Sequence, residues 1–409
     1  MPLMRSWVDS ANDERTDFPL NNLALGVFCR GNDDPRCGVA IGDAILDVHA
    51  LEQAGLLRLA DRPLFGAPRW NALIAAGPAT WARLRIMLTG FLAEGSPLRH
   101  LIAPHLVAQC AVEMYPPLQV HDVTTFAGSH VHMRACGITP DVARRHPLWQ
   151  DARVADLVLS GHDISRPHAI RQDPLTERHR LGPCEMIDPA FELGTILGQD
   201  ITGPLDADAA DHMIFGHVLV TSWIIRDPGA GPARIATGIG TWIVMRAALD
   251  PFRQPVPQDD TLPAHLRQTR DALHDITLTA TLTAEGQPET LICTTALQAS
   301  AWTPAQMLAQ RALTGTGLQA GDLLCSGPLS GTAPGSRATL SEAAALGPVM
   351  LAGHNPRRWL QDGDTTCMQA RARGRGYTVG FGECRGQLLP ARDLQFGDRP
   401  VSRGDAADP

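Results

Sequence analysis

The chain contains no lysine; all 35 of its basic residues are arginine. Schiff-base catalysis and lysine general bases are therefore excluded, because both need an amine that can lose its proton. Tyrosine is almost missing too, with Tyr115 and Tyr377 the only two, so a site built on phenol hydroxyls is not expected. Nucleotide-type loops are lacking: "TGIGTW" and "GRGYTVGFG" do not sit between a strand and a helix with an acidic residue beyond. There is no GxSxG elbow, so an α/β-hydrolase triad has no support. The nine cysteines include no CxxC and read as reduced, mostly buried thiols of a cytoplasmic protein. No apolar run approaches the ~20 residues of a membrane span, and "MPLMRSWVDSANDERTDF" has no signal-peptide core. The net charge of −8 argues against nucleic acid or an anionic membrane as partner.

What is present describes a folded, loop-rich chain. Hydrophobic residues make up 44% of 409 and charged ones 19%, with 38 glycines and 32 prolines, enough for one large domain or two ordinary ones. After a polar start, "LALGVF", "RCGVAIG" and "AILDVHAL" are short apolar runs broken by Gly and Asp, which read as strands of a small β unit. Between residues 67 and 111 the apolar spacing changes to three and four, the pattern of a helical pair. "EMYPPLQV" reads as a linker, because Pro116-Pro117 cannot continue a helix. Residues 1–117 and 118–409 are expected to be separate domains. The second is β-rich, with "ADLVLSG", "FELGTILG", "IFGHVLVTSWII", "TGIGTWIVM", "DITLTATLTAEG" and "YTVGFGEC" as strands. "WTPAQMLAQRALTG" is a helix opened by Thr-Pro and closed by Gly, and the tail "FGDRPVSRGDAADP" is expected to fray.

The stretch "FAGSHVHMRAC" places His130 and His132 one residue apart in a Gly/Ser loop, with Arg134 beyond. Strand alternation would put both rings on one face, where they could ligate a metal. No Cys or His follows at a matching spacing, which weighs against that reading.

Taken together, "DFPLNNLALGVF", "CGVAIGDAILDV", "SGHDISRP", "FELGTILG", "HMIFGHVLVTSWIIRD", "LQAGDLLCSG" and "DGD…GYTVGFGEC" resemble the fumarylacetoacetase family, in order and spacing, from about residue 17 to 392. The resemblance implies a mostly β fold with some α: an SH3-like β-barrel N-terminal domain and a mixed β-roll C-terminal domain, paired as a homodimer. Dimerisation would cover the apolar runs "VLVTSWII" and "TGIGTWIVM". The family's chemistry uses a divalent cation held by four carboxylates, which stabilises the departing carbanion, and a His–Glu pair that activates water. By resemblance that pair falls on His132 and Glu342. The family's ligand positions fall on Thr125, Ala190, Glu192 and Ser222, so one carboxylate survives of four. Mg²⁺ or Ca²⁺ needs more hard anionic oxygen than that. The family lysine falls on Ala233, beside Arg234; its substrate-binding tyrosines fall on Ala127 and Gln150, and an oxyanion-binding threonine falls on Pro328.

The expectation is an enzyme without cofactor that acts on a small 1,3-dicarbonyl or acylpyruvate-like compound, possible settings including bacterial specialised metabolism. His132 and Glu342 would move protons in an enolisation, dehydration, isomerisation or cyclisation. Arg234, Arg134 and Ser222 would hold an oxyanion, with His130, Gln150 and Thr125 also lining the substrate site. Glu192 would pair with Arg234. The alternatives are a C–C hydrolase whose Mg²⁺ or Ca²⁺ is held by an unorthodox set such as His130, His132 and Glu192, and a catalytically silent binding or scaffolding homologue.

Overall fold

The structure is a computed structural model that describes residues 2–172, 179–229, 233–256, 259–315, 317–352 and 355–394. The expectation for the tail from 396 onward lies outside the described residues. The first strands form a curled, five-stranded antiparallel half-barrel in the order Leu106–Ala108, Ala44–Asp47, Arg36–Ile41, Leu25–Cys29, Glu113–Tyr115. The last of these corrects the linker expectation: "EMY" runs on as an edge strand against Val27–Cys29 before Pro116 ends it. The helical stretch resolves into Asn71–Ala75, Pro78–Leu92 and Arg99–Ile102. The longest begins at Pro78, whose fixed φ and missing N–H suit a first helical turn. It buries Trp81, Leu84, Leu88, Phe91 and Leu92 on one side.

An eight-stranded sheet forms the centre of the remaining chain, in the order Trp149–Ala152, Val123–Phe126, Leu323–Cys325, Ile187–Leu197, Ile214–Ile225, Ala233–Ile239, Leu157–Leu159, with Val244–Met245 also on Ile214–Ile225. Its two long strands are buried along almost their whole length, which explains why they read as continuous apolar runs rather than alternating ones. A second, five-stranded sheet is built from Thr290–Ala296, Thr277–Thr283, Thr365–Arg373, Thr378–Leu389 and Ile164–Ser165. Leu25, Val27 and Val39 of the half-barrel share one core with Ile196, Val218, Val220 and Leu323 of the central sheet. The runs expected to await a dimer partner are therefore already covered: Trp223 and Trp242 are buried within this chain. Thr303 opens the helix Pro304–Ala312 with a reciprocal cap, its hydroxyl accepting from the Gln306 N–H while the Gln306 side chain accepts from Thr303 N–H. Among the described residues, no helix is long and apolar enough to cross a membrane.

Candidate active site

Two loops meet at one end of the central sheet and set the side chains of the candidate site. The strand Val123–Phe126 runs parallel to Leu323–Cys325, and the backbones that leave them cross at Gly128 and Gly327. Both glycines have positive φ, +72° and +75°. A Cβ on Gly128 would run into the carbonyl oxygen of Pro328, and one on Gly327 into that of Phe126. Only glycine permits both the dihedral and the approach. The crossing is fastened by Ser129 N–H donating to the Pro328 carbonyl at 3.1 Å.

Ser129 then caps a short helix, His130–Ala135, its hydroxyl accepting from the His132 N–H at 3.1 Å. This corrects the strand expectation for the two histidines. On a helix, residues two apart point about 200° from each other, so the pair separates. His132 faces inward, with Nδ1 hydrogen-bonded to a carboxylate oxygen of Glu342. His130 faces another cavity with Arg144, Asp259, Trp302 and Gln306. The set His130, His132 and Glu192 therefore does not converge. Arg134 is exposed on the outer side of the helix and does not line the His132 cavity.

Glu342 sits on the short helix Leu340–Ala344, capped by Thr339, whose hydroxyl accepts from Glu342 N–H. The Asp188 carboxylate grips the same turn, accepting from Ser341 N–H at 2.9 Å and Ser341 Oγ at 2.6 Å. Arg226 Nε donates to Asp188 from the other side at 3.2 Å. The second oxygen of Glu342 accepts from the Ser330 hydroxyl. The carboxylate is thus fixed before it meets the imidazole. Burial works against a charged His132 ring, but hydrogen bonds with Cys136 and Glu342, and the Glu342 charge, outweigh it and raise the ring to about 9.

A cavity of about 330 Å³ opens over this pair. Thr125, Gln150, Glu192, Arg234 and Pro328 line it with His132, and so do Cys136 and Arg226, which the sequence reading did not single out. Arg234 arrives by way of a β-bulge. In the pairing of Ile214–Ile225 with Ala233–Ile239, Ser222 lies opposite Thr237 and Trp223 opposite Ala236, but Ile224 lies opposite Arg234. The extra residue, Ile235, turns Arg234 onto the face that carries Ser222. Its guanidinium stands 3.7 Å from Glu192 Oε1, and Glu192 is fully buried. The other Glu192 oxygen accepts from Gly327 N–H at 3.1 Å. Ser222 lies beneath, buried, its hydroxyl without a hydrogen-bond partner among the described residues.

The donor set does not fit the divalent cation that the family chemistry implies. Ala190, opposite Ser222, offers no side-chain oxygen. Thr125 and Ser222 are neutral, and the one carboxylate already faces a guanidinium. A hard cation needs several anionic oxygens to offset its dehydration. Among the described residues, no three His, Cys, Asp or Glu side chains gather as a metal-holding group.

Known proteins match this chain along nearly its whole length. The family model described as "Fumarylacetoacetase N-terminal" matches residues 21–117, and "Fumarylacetoacetate (FAA) hydrolase C-terminal" matches 123–389. Fumarylacetoacetase of Arabidopsis thaliana is 33% identical over 423 residues, covering 96% of this chain and 100% of that protein. Among solved structures, the fumarylacetoacetate hydrolase of Exiguobacterium antarcticum superposes with a TM-score of 0.51 at 14% identity, over 90% of this chain and 99% of that one. The 5-carboxymethyl-2-hydroxymuconate delta-isomerase of Mycobacterium smegmatis does so with a TM-score of 0.50 at 12% identity, over 90% and 100%. At such identities these two show a shared fold.

Proposed function

The chain belongs to the fumarylacetoacetase family as an enzyme, and from that premise we propose that it works on a small 1,3-dicarbonyl or acylpyruvate-like anion by proton transfer, without a metal. The observation that carries this reading is the Arg234–Glu192 pair, which faces the cavity lined by His132 and stands among the family's ligand positions. A guanidinium there supplies fixed positive charge to a substrate carboxylate or developing enolate. Arg226, on the same cavity wall, supplies a second.

Glu342 holds Nδ1 of His132, so Nε2 is the nitrogen that works. With the ring raised to about 9, His132 carries its proton at neutral pH and acts first as an acid toward a carbonyl oxygen. Its use as a base grows as pH rises toward 9. Enolisation, isomerisation, dehydration and cyclisation all need these two roles and no Lewis acid. A family member of this ancestry is proposed to be a homodimer, which light scattering at micromolar concentration checks.

The experiment is α-proton exchange into D₂O with 2,4-dioxopentanoate as probe, followed by NMR, using protein dialysed against chelator. Catalysed exchange that speeds up toward pH 9 and drops on the order of 10²-fold in His132→Gln is the expected result. Stoichiometric Mg²⁺, Ca²⁺ or Zn²⁺ surviving dialysis, or exchange abolished by the chelator, would sink the metal-free reading.

A further inference from the structure

Cys136 lies four residues after His132 and caps the same short helix, so the two side chains share a face. Its Sγ is 3.5 Å from His132 Nε2, the nitrogen that Glu342 leaves free. Cys136 is exposed and lines the same cavity as Arg226, Arg234 and His132. We propose that Cys136, His132 and Glu342 form a thiol–imidazole–carboxylate triad in which Cys136 is a covalent nucleophile that takes an acyl group from a 1,3-dicarbonyl substrate.

The arrangement has the parts that nucleophilic catalysis requires: a nucleophile in contact with a base, and the base oriented by a third group. The third group is itself held, since the Ser330 hydroxyl donates to its other carboxylate oxygen and Thr339 caps the turn that carries it. The charges around the sulfur agree. Burial pushes the thiols of Cys37, Cys293, Cys325 and Cys367 up to about 12. Cys136 moves the other way: its hydrogen bond with His132 lowers it, and the charges of His132 and Arg226 add to that against burial and Glu342. An imidazole that stays protonated to about 9 is a poor base for water at neutral pH. It is a good partner for a thiolate, because its proton is then the one the thiol has given up.

The step balances with water as the only co-reactant. The Cys136 thiolate adds to one carbonyl carbon, forming a C–S bond and moving the π pair onto oxygen, which faces the arginines. The carbonyl re-forms as the bond to the α-carbon breaks, and the released pair enters the second carbonyl as an enolate. His132 gives its proton to the α-carbon. Neutral His132 then takes a proton from water, the resulting hydroxide adds to the thioester, and the C–S bond breaks to return thiolate and a carboxylic acid. The net change is the C–C hydrolysis known in the family, and what is new here is the covalent route through Cys136, which needs no metal. The route shares the His132–Glu342 pair and the dicarbonyl substrate class of the proton transfers proposed above.

The test uses the purified full chain with 4-nitrophenyl acetate as acyl donor, acid quench and peptide mapping by mass spectrometry. A burst of nitrophenolate with acetyl on Cys136 is expected, at least about tenfold faster than on Cys110, the other exposed thiol. Cys136→Ala should abolish the burst, and His132→Gln should slow acetylation on the order of 10²-fold. Acetylation of Cys136 in the unmodified protein no faster than that of Cys110, or a rate untouched in His132→Gln, would overturn the proposal. The unmodified-protein comparison does not depend on any variant folding. Metal content of the same protein is read separately, so the metal-free reading and the triad stand or fall on different measurements.

Discussion

Replacing Arg234 by Met removes the guanidinium that faces a carboxylate with no exposed surface. At 3.7 Å the pair attracts by about 4 kcal/mol at an effective dielectric of ~20. Loss of one partner from a buried pair typically costs about 3–5 kcal/mol, because the survivor keeps its desolvation penalty. Here Arg234 keeps 13% of its side-chain surface in solvent, and Gly327 N–H still serves one Glu192 oxygen. Both soften the loss, so Arg234→Met is expected to destabilise by about 3 kcal/mol. Glu192→Gln should cost less, since a partly exposed guanidinium can rehydrate. The double substitution should be more stable than Arg234→Met alone, by about 2 kcal/mol, because no charge is then left stranded. Urea unfolding with an unchanged slope gives all three values. A loss below about 1 kcal/mol for Arg234→Met, or a double variant that is the sum of the singles, would refute the pairing as the reason that Glu192 can be buried.

Three further outcomes follow from the same site. His132→Gln and Glu342→Gln should each lower turnover on the order of 10²-fold, and the double variant should lose little beyond the worse single one, because the two act as a unit; steady-state kinetics decide it. His132 titrates near 9 when folded and ~6.5 when unfolded, so its stabilising contribution is complete below ~6.5 and is lost as pH rises through 9. Stability read by thermal unfolding should therefore fall across that window by at most about 3–4 kcal/mol, and His132→Gln should flatten the dependence. Gly128→Ala, with positive φ and the Pro328 carbonyl in the way, should cost about 2 kcal/mol or more and lower activity, while Gly66→Ala, which meets nothing, should stay within about 0.5 kcal/mol.

The long central strands were legible because burial on both faces leaves an unbroken apolar signature: "IFGHVLVTSWII" is the strand Ile214–Ile225 residue for residue. The helix after Thr303 was legible from its cap. The site was legible only in part. His132, Glu342 and the Arg234–Glu192 pair could be placed from the family pattern, but the separation of His130 from His132 depends on a six-residue helix too short to show a period of its own. Apart from Ser129 at its start, nothing in "SHVHMRAC" distinguishes that helix from a strand. Cys136 had a usable signal, since a Cys four residues from a His meets it if the segment is helical. Arg226 had none, because its role follows from the tertiary position of Asp188 and Ser341. The bulge at Ile235 was equally hidden: one extra residue changes the face of Arg234 without changing the composition of the strand.

The charge arrangement disfavours a cation in the cavity and favours an anion. Three acidic groups at or beside the cavity have a cationic partner among the described residues: Glu192 with Arg234, Asp188 with Arg226, Glu342 with His132. A divalent cation placed among them would add two positive charges to a site already balanced, beside two guanidinium groups that cannot give up a proton. The repulsion would add to a donor set that is short of anionic oxygen. An anion meets the opposite situation. Arg226 and Arg234 both face the cavity; Asp188, the partner of Arg226, is buried outside the lining, while Glu192 lines the cavity beside Arg234 with no surface exposed to solvent. An anion bound there would meet two guanidinium groups able to make charge-assisted hydrogen bonds. On the metal-free proposal, Arg234, turned inward by the bulge at Ile235, supplies from the protein itself the positive charge that grips the substrate.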